Sequence, residues 1–111
     1  MALSAVGYTA SGANITAANG NYIPLTGANA TCGGVTQYSN GVDFLSYAGS
    51  NQWYISASVN AISSPLYAIS TGSPTNVPLT GWNVVSGTAP APTLVNNSPV
   101  VILRRRPPMS F

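Results

Sequence analysis

The sequence predicts an all-β fold: a small, single-domain antiparallel sheet or sandwich of short strands with an extended C-terminal arm. Three observations predict it. Tight-turn signals recur about every 8 to 15 residues, no stretch of helical length escapes a Gly, a Pro or a cluster of Ser, Thr and Asn, and β-branched and aromatic residues fill the intervals.

The expected strands follow from those intervals. Asn19-Gly20 turns the chain into Asn21-Tyr22-Ile23, and Asn40-Gly41 turns it into Val42 to Tyr47. Ala48 to Asn51 is then the loop of a hairpin whose second strand runs Gln52 to Ala57. Side chains alternate across a strand, so Trp53 and Ile55 share one face, and Leu45 and Tyr47 form one set in the partner strand. Further short strands are expected at Leu66 to Ser70, Trp82 to Val85 and Thr93 to Val95. Pro65, Pro74, Pro78, Pro90, Pro92 and Pro99 fall between or beside these runs, where a missing N–H does little harm. Gly87 to Thr93, with two prolines, reads as extended and stiff.

The organisation is therefore a β domain over residues 1–98 and a C-terminal segment over residues 99–111. After the turn Asn96-Asn97-Ser98-Pro99 comes the fully apolar Val100-Val101-Ile102-Leu103, then Arg104-Arg105-Arg106, then Pro107-Pro108-Met109-Ser110-Phe111. Four consecutive apolar residues do not fit one face of a half-exposed strand, so this strand is either central in the sheet or buried against another chain. We favour docking, with Val100, Val101, Ile102 and Leu103 adding an edge strand to a partner. Arg104, Arg105 and Arg106 would meet its carboxylates, and Phe111 would be covered. The alternative is a solvated basic end.

Composition removes most chemistry. The 111 residues contain one acid, Asp43, three bases, all in the tail, one cysteine, Cys32, and no histidine. Neither a Ser-His-Asp triad, nor a carboxylate pair, nor a Cys-His pair can be assembled within one chain, so no enzyme is expected. One thiol and one carboxylate do not make a closed zinc site, and one carboxylate does not make a calcium site, so no metal and no cofactor is expected. Asp43 is read as part of a turn, and Cys32 as a small neutral residue. Polarity comes instead from 14 Ser, 10 Thr and 11 Asn, while ten aromatics and sixteen Val plus Ile supply a packed core. Three arginines are too few for nucleic-acid binding, and the longest apolar run, four residues, is far below the ~20 needed to span a bilayer. Met1 to Val6 carries no basic signal-peptide start, so a soluble product made in a host cytoplasm is expected.

Trp53, Tyr54, Tyr67 and Trp82 have two readings, as core residues or as an aromatic platform for a carbohydrate. Core is favoured, because a domain this small needs its large aromatics inside, each contributing about 2–3 kcal/mol on burial.

The landmarks Asn19-Gly20-Asn21-Tyr22, Tyr38, Gln52-Trp53-Tyr54-Ile55-Ser56, Leu66-Tyr67, Gly81-Trp82 and Gly87-Thr88-Ala89-Pro90-Ala91-Pro92-Thr93 come in an order that resembles small β-rich accessory modules of tailed-phage structural proteins and some microbial surface proteins. The resemblance spans about Ala18 to Val95. It implies a virion component without catalytic activity, carried on heads, tails or fibres. Ala28 to Gln37, with Cys32-Gly33-Gly34, and the arginine tail depart from that pattern. The resulting expectation is a decoration or accessory subunit of the capsid, or of the tail. It would be present in many copies, with the major capsid protein or tail components as partners and without nucleic acid or membrane. The alternative is a carbohydrate- or receptor-binding tail or fibre module using exposed aromatics.

Overall fold

The computed structural model describes residues 3–61 and 64–97. Its strands are β1 (Tyr8–Ser11), β2 (Gly20–Pro24), β3 (Thr31–Cys32), β4 (Val35–Thr36), β5 (Tyr38–Ser39), β6 (Phe44–Gly49), β7 (Gln52–Ser56), β8 (Tyr67–Ile69), β9 (Asn83–Val84) and β10 (Thr93–Asn96). Eight of them form one antiparallel sheet in the order β10-β1-β2-β5-β6-β7-β8-β9, and β3 and β4 form a separate hairpin. The expected all-β class is what the chain adopts. The hairpin expected from Val42 to Ala57 is β6–β7, with a register shift between Tyr47 and Gly49 and left-handed backbone at Ser50 and Asn51.

Alternation places the core. Tyr8 and Ala10 of β1, Tyr22 of β2, Tyr38 of β5, Leu45 of β6, Trp53 and Ile55 of β7, Tyr67 and Ile69 of β8, and Leu94 of β10 are all buried. Strand pairing lines them up: Tyr38 opposes Leu45, Leu45 opposes Ile55 and Ile55 opposes Tyr67, while Tyr47, Trp53 and Ile69 form the adjacent row. Edge-to-face packing joins Tyr8 to Tyr38 (centroids 5.3 Å apart) and Tyr47 to Trp53 (5.4 Å).

The sheet curls until its ends are tied by the segment that leads into and out of β9. Leu94 N–H of β10 donates to Leu79 O at 2.8 Å, and Asn14 N–H donates to Pro90 O at 3.0 Å. This matters because an open sheet edge is a liability that a small domain must cover. Tyr8–Ser11 was not among the expected strands. It begins after Gly7, whose φ of +107° and close approach to Tyr22 O leave no room for a Cβ.

A second layer covers part of the outer face of β6 and β7, around Ser46 and Ser56. The β3–β4 hairpin and the turn Val59–Ala61 pack over Ser46 and Ser56, both fully buried, and Gln37 ties the 3-10 turn Gly27–Asn29 to them. Gln37 is the hub of this layer. Its Oε1 accepts from Ser46 Oγ (2.6 Å) and Asn60 N (3.0 Å), and its Nε2 donates to Asn29 O (2.9 Å), Thr31 O (3.3 Å) and Asn60 Oδ1 (2.9 Å). Removing one partner from a buried polar network strands the others, at about 1–3 kcal/mol for each group left unmade. Gln37→Leu is therefore expected to destabilise the chain by about 2–4 kcal/mol in denaturant melts. A loss below about 0.5 kcal/mol would show that the network is dispensable.

Candidate functional site

The four aromatics singled out in the sequence do not form a platform. Trp53 and Tyr67 are fully buried and Trp82 nearly so. Their polar tips are also engaged: Trp53 Nε1 donates to Ser73 O, Trp82 Nε1 to Pro78 O, and Tyr67 Oη to Thr88 O. Tyr54 alone faces outward, half-buried, because it alternates with Trp53 and Ile55. The expected docking residues, Val100 to Arg106 and Phe111, lie outside the described residues.

The outer face has two uncovered regions. On β10, β1 and β2, Val95 pairs with Thr9 and Thr9 with Asn21, so these three residues share one outward row, and Ile23 lies on the same face of β2. Val95 is 61% exposed and Ile23 51%. Asn97 fastens the row, accepting from Thr9 Oγ1 at 2.8 Å and donating through Nδ2 to Asn21 Oδ1 at 2.6 Å. On β7, β8 and β9, Tyr54 pairs with Ala68 and Ala68 with Asn83, and a groove of about 300 Å³ opens along this row. Neither region was apparent from residue type alone. The signal that locates both is alternation counted outward from the buried aromatics, which puts Gln52, Ser70, Asn83, Ile23 and Val95 on the outside.

Asp43 is the only charged side chain among the described residues. It sits in the turn between β5 and β6, as expected, but the capping side chain there is that of Asn40. Asn40 Oδ1 accepts from the N–H groups of Val42 (2.9 Å) and Asp43 (2.8 Å), while its Nδ2 donates to Ala17 O and Asn19 O. The Asp43 carboxyl is buried, and its Oδ2 has no hydrogen-bond partner among the described residues. Burial pushes its pKa up, and the same charge, behind desolvation, helps raise that of the Tyr22 hydroxyl. Cys32 is half-buried in β3 and its thiol is likewise pushed up by burial, the opposite of an activated nucleophile. Among the described residues no three metal-ligating side chains come together, and no helix is long and apolar enough to cross a membrane.

Comparison of the chain with protein-family models, with curated proteins and with solved structures finds no match.

The buried carboxyl makes stability depend on pH in a direction opposite to that of salt-bridged acids. A raised native pKa means the folded chain holds the proton more tightly than the unfolded one, whose value is 3.8. The contribution is fully present below that value and is lost as pH rises through the native pKa. Thermal melts are thus expected to show Tm falling from about pH 4 toward neutrality. Asp43→Asn should flatten that slope and stabilise the chain at neutral pH by about 1 kcal/mol. The turn survives because Asp43 enters it through its main chain, its carbonyl accepting from Asn40 N and Ser39 Oγ. A variant that melts lower than the parent at every pH would refute this account.

Proposed function

We propose that the chain is a non-enzymatic virion structural protein of a tailed phage, a decoration or accessory subunit attached to the capsid or the tail and acting through protein–protein contacts. The observation that carries this reading is the uncovered face of β10, β1 and β2. There Val95 and Ile23 stand out among Thr9 and Asn21, with no charged side chain to resist a neighbour. By contrast the outer face around Ser46 and Ser56 carries its own covering layer. Exposed β-branched residues on an uncharged surface suit repeated protein contact, and low charge removes the self-repulsion that keeps many proteins apart.

The order of motifs from Asn19-Gly20-Asn21-Tyr22 to the Gly87-to-Thr93 segment supports the assignment to phage accessory modules. The C-terminal segment supports docking as the mode of attachment. Past Asn97 the sequence runs directly into the apolar Val100 to Leu103 and then three arginines. Strand addition by this segment would supply main-chain hydrogen bonds, and the arginines would select an acidic partner surface. The major capsid protein or a tail component is the partner class, with many copies in symmetric contact as the natural arrangement.

Light scattering on the full chain and on a version ending at Ser98 tests the role of the segment. Two folded monomers would mean that the segment docks onto a different protein, and a defined oligomer of the full chain alone would mean that it ties like subunits together. For the assignment itself, mass spectrometry of purified virions from a lysate that produces the chain is expected to recover it at a fixed ratio to the major capsid protein. The paired change Ile23→Arg and Val95→Arg, on exposed positions, should leave the fold intact and reduce particle-bound chain at least ten-fold. Recovery of the unaltered chain only in the unassembled fraction would overturn the reading.

A further inference from the structure

Three neighbouring strands present a regular outward array on the half of the sheet away from β1. Gln52 and Tyr54 come from β7, and Ala68 with Ser70 from β8 and the residue following it. Asn83 opens β9 and stands opposite Ala68, which itself stands opposite Tyr54. Ala68, the smallest side chain of the row, lies between an aromatic ring and a carboxamide and so forms the floor of the 300 Å³ groove. Pro65 and Val85 supply its apolar walls.

The polar groups of this groove differ from those that hold the fold together. Gln37, Asn19, Asn40 and Asn97 spend their carboxamides on other parts of the chain. Ser39, Ser46, Ser56 and Ser86 likewise spend their hydroxyls internally. Among the described residues, the side chains of Gln52, Tyr54, Ser70 and Asn83 make no hydrogen bond within the chain. Four unspent polar groups converge on one concave site, beside an aromatic ring held half-buried by the sheet.

The chemistry of the set narrows the ligand. Two carboxamides offer donors and acceptors together, two hydroxyls do the same, and Tyr54 adds an apolar face. No lining residue is charged, so nothing there compensates the desolvation of an anion or a cation. A sugar ring presents C–H groups on its face and vicinal hydroxyls at its rim, the pattern this array complements. The volume is at the small end of the ~300–1,000 Å³ typical of ligand pockets, which suits one or two rings.

We propose that the Tyr54 groove binds an uncharged mono- or disaccharide, with Tyr54 stacking on the ring and Gln52, Ser70 and Asn83 bonding its hydroxyls. The site uses β7 to β9 and does not depend on the accessory-subunit reading.

Amide chemical shifts of the ¹⁵N-labelled full chain test it, titrated with methyl glycosides of glucose, galactose, mannose and N-acetylglucosamine, with maltose and cellobiose, and with glucuronic acid as the charged control. The expected result is saturable shifts, for at least one neutral sugar, at amides of residues 52–54, 68–70 and 83–85, with no saturation by glucuronic acid. Tyr54→Ala should weaken binding at least ten-fold and Tyr54→Phe less than three-fold, since the phenyl face is kept. Asn83→Ala, at an exposed position, should weaken it about five-fold, so the inference stands testable even where Tyr54→Ala does not fold. It is overturned by absence of saturable shifts with every neutral sugar, by shifts centred elsewhere, by indifference to the Tyr54 and Asn83 variants, or by tighter binding of the charged control. Concentration-dependent shifts of the same amides without sugar would also overturn it, because they would make the groove a contact between copies. Virion association lost while sugar binding persists would refute the accessory-subunit reading alone.

Discussion

The structure depends on how its buried aromatics end. Six large rings lie in the apolar interior; Tyr8 Oη accepts from Ser4 N–H, and each of the other five passes its single polar atom to a main-chain carbonyl. Tyr22 Oη donates to Ala18 O, Tyr38 Oη to Ser4 O, Tyr67 Oη to Thr88 O, Trp53 Nε1 to Ser73 O and Trp82 Nε1 to Pro78 O, all between 2.7 and 2.9 Å. The rings contribute burial, and the tips convert that burial into fixed loop positions. Loops rich in Gly, Pro and Asn have few apolar groups of their own with which to pack. Here the core reaches out to hold them, and Tyr67 also accepts from Ile15 N at 3.4 Å, so one hydroxyl spans two loops.

Absence of charge has a second structural consequence. With Asp43 the only acidic residue and the bases confined to the tail, the described residues hold no pair of opposite charges to specify the fold. Specificity passes to side-chain amides and hydroxyls. Asn19 brackets the first loop by accepting from Ala13 N and donating to Ala13 O, Asn40 joins the turn before β6 to Ala17 and Asn19, and Gln37 joins four separate segments. Such bonds are insensitive to salt and, apart from Asp43, to pH in the neutral range. Charge-assisted pairing elsewhere would carry an ionic-strength dependence that this arrangement lacks.

These same facts explain which features were legible in the sequence. The β6–β7 hairpin declared itself because six- and five-residue strands carry enough alternation to show a period, and Gly49 to Asn51 marks the turn. β5, β3 and β4 are two residues each and have no period to read. They exist because Gln37 and neighbouring main-chain bonds, such as Leu25 N to Gln37 O, hold them in place. Curling of the sheet was equally invisible, since it rests on long-range bonds such as Leu94 N to Leu79 O. For the candidate site the aromatic count was a poor guide and the alternation a good one. Trp53, Tyr54 and Ile55 are neighbours in sequence, yet pleating sends the first and third to the core and the second to the groove.

Pleating also explains how one small sheet can carry two uncovered surfaces without weakening its interior. The inward Tyr8, Ala10, Tyr22, Trp53, Ile55, Tyr67, Ile69 and Leu94 of β1, β2, β7, β8 and β10 are committed to the core, so the outward positions are free to vary in chemistry. The face with Val95 and Ile23 lies on β10 and β2, and the Tyr54 groove on β7 to β9. Between them in strand order stands β6, whose outward Ser46 is covered by the Gln37 layer. That layer therefore does more than bury Ser46 and Ser56. It separates the face with Val95 and Ile23 from a polar, concave one, so a neighbour seated on the first would leave the second open to solvent.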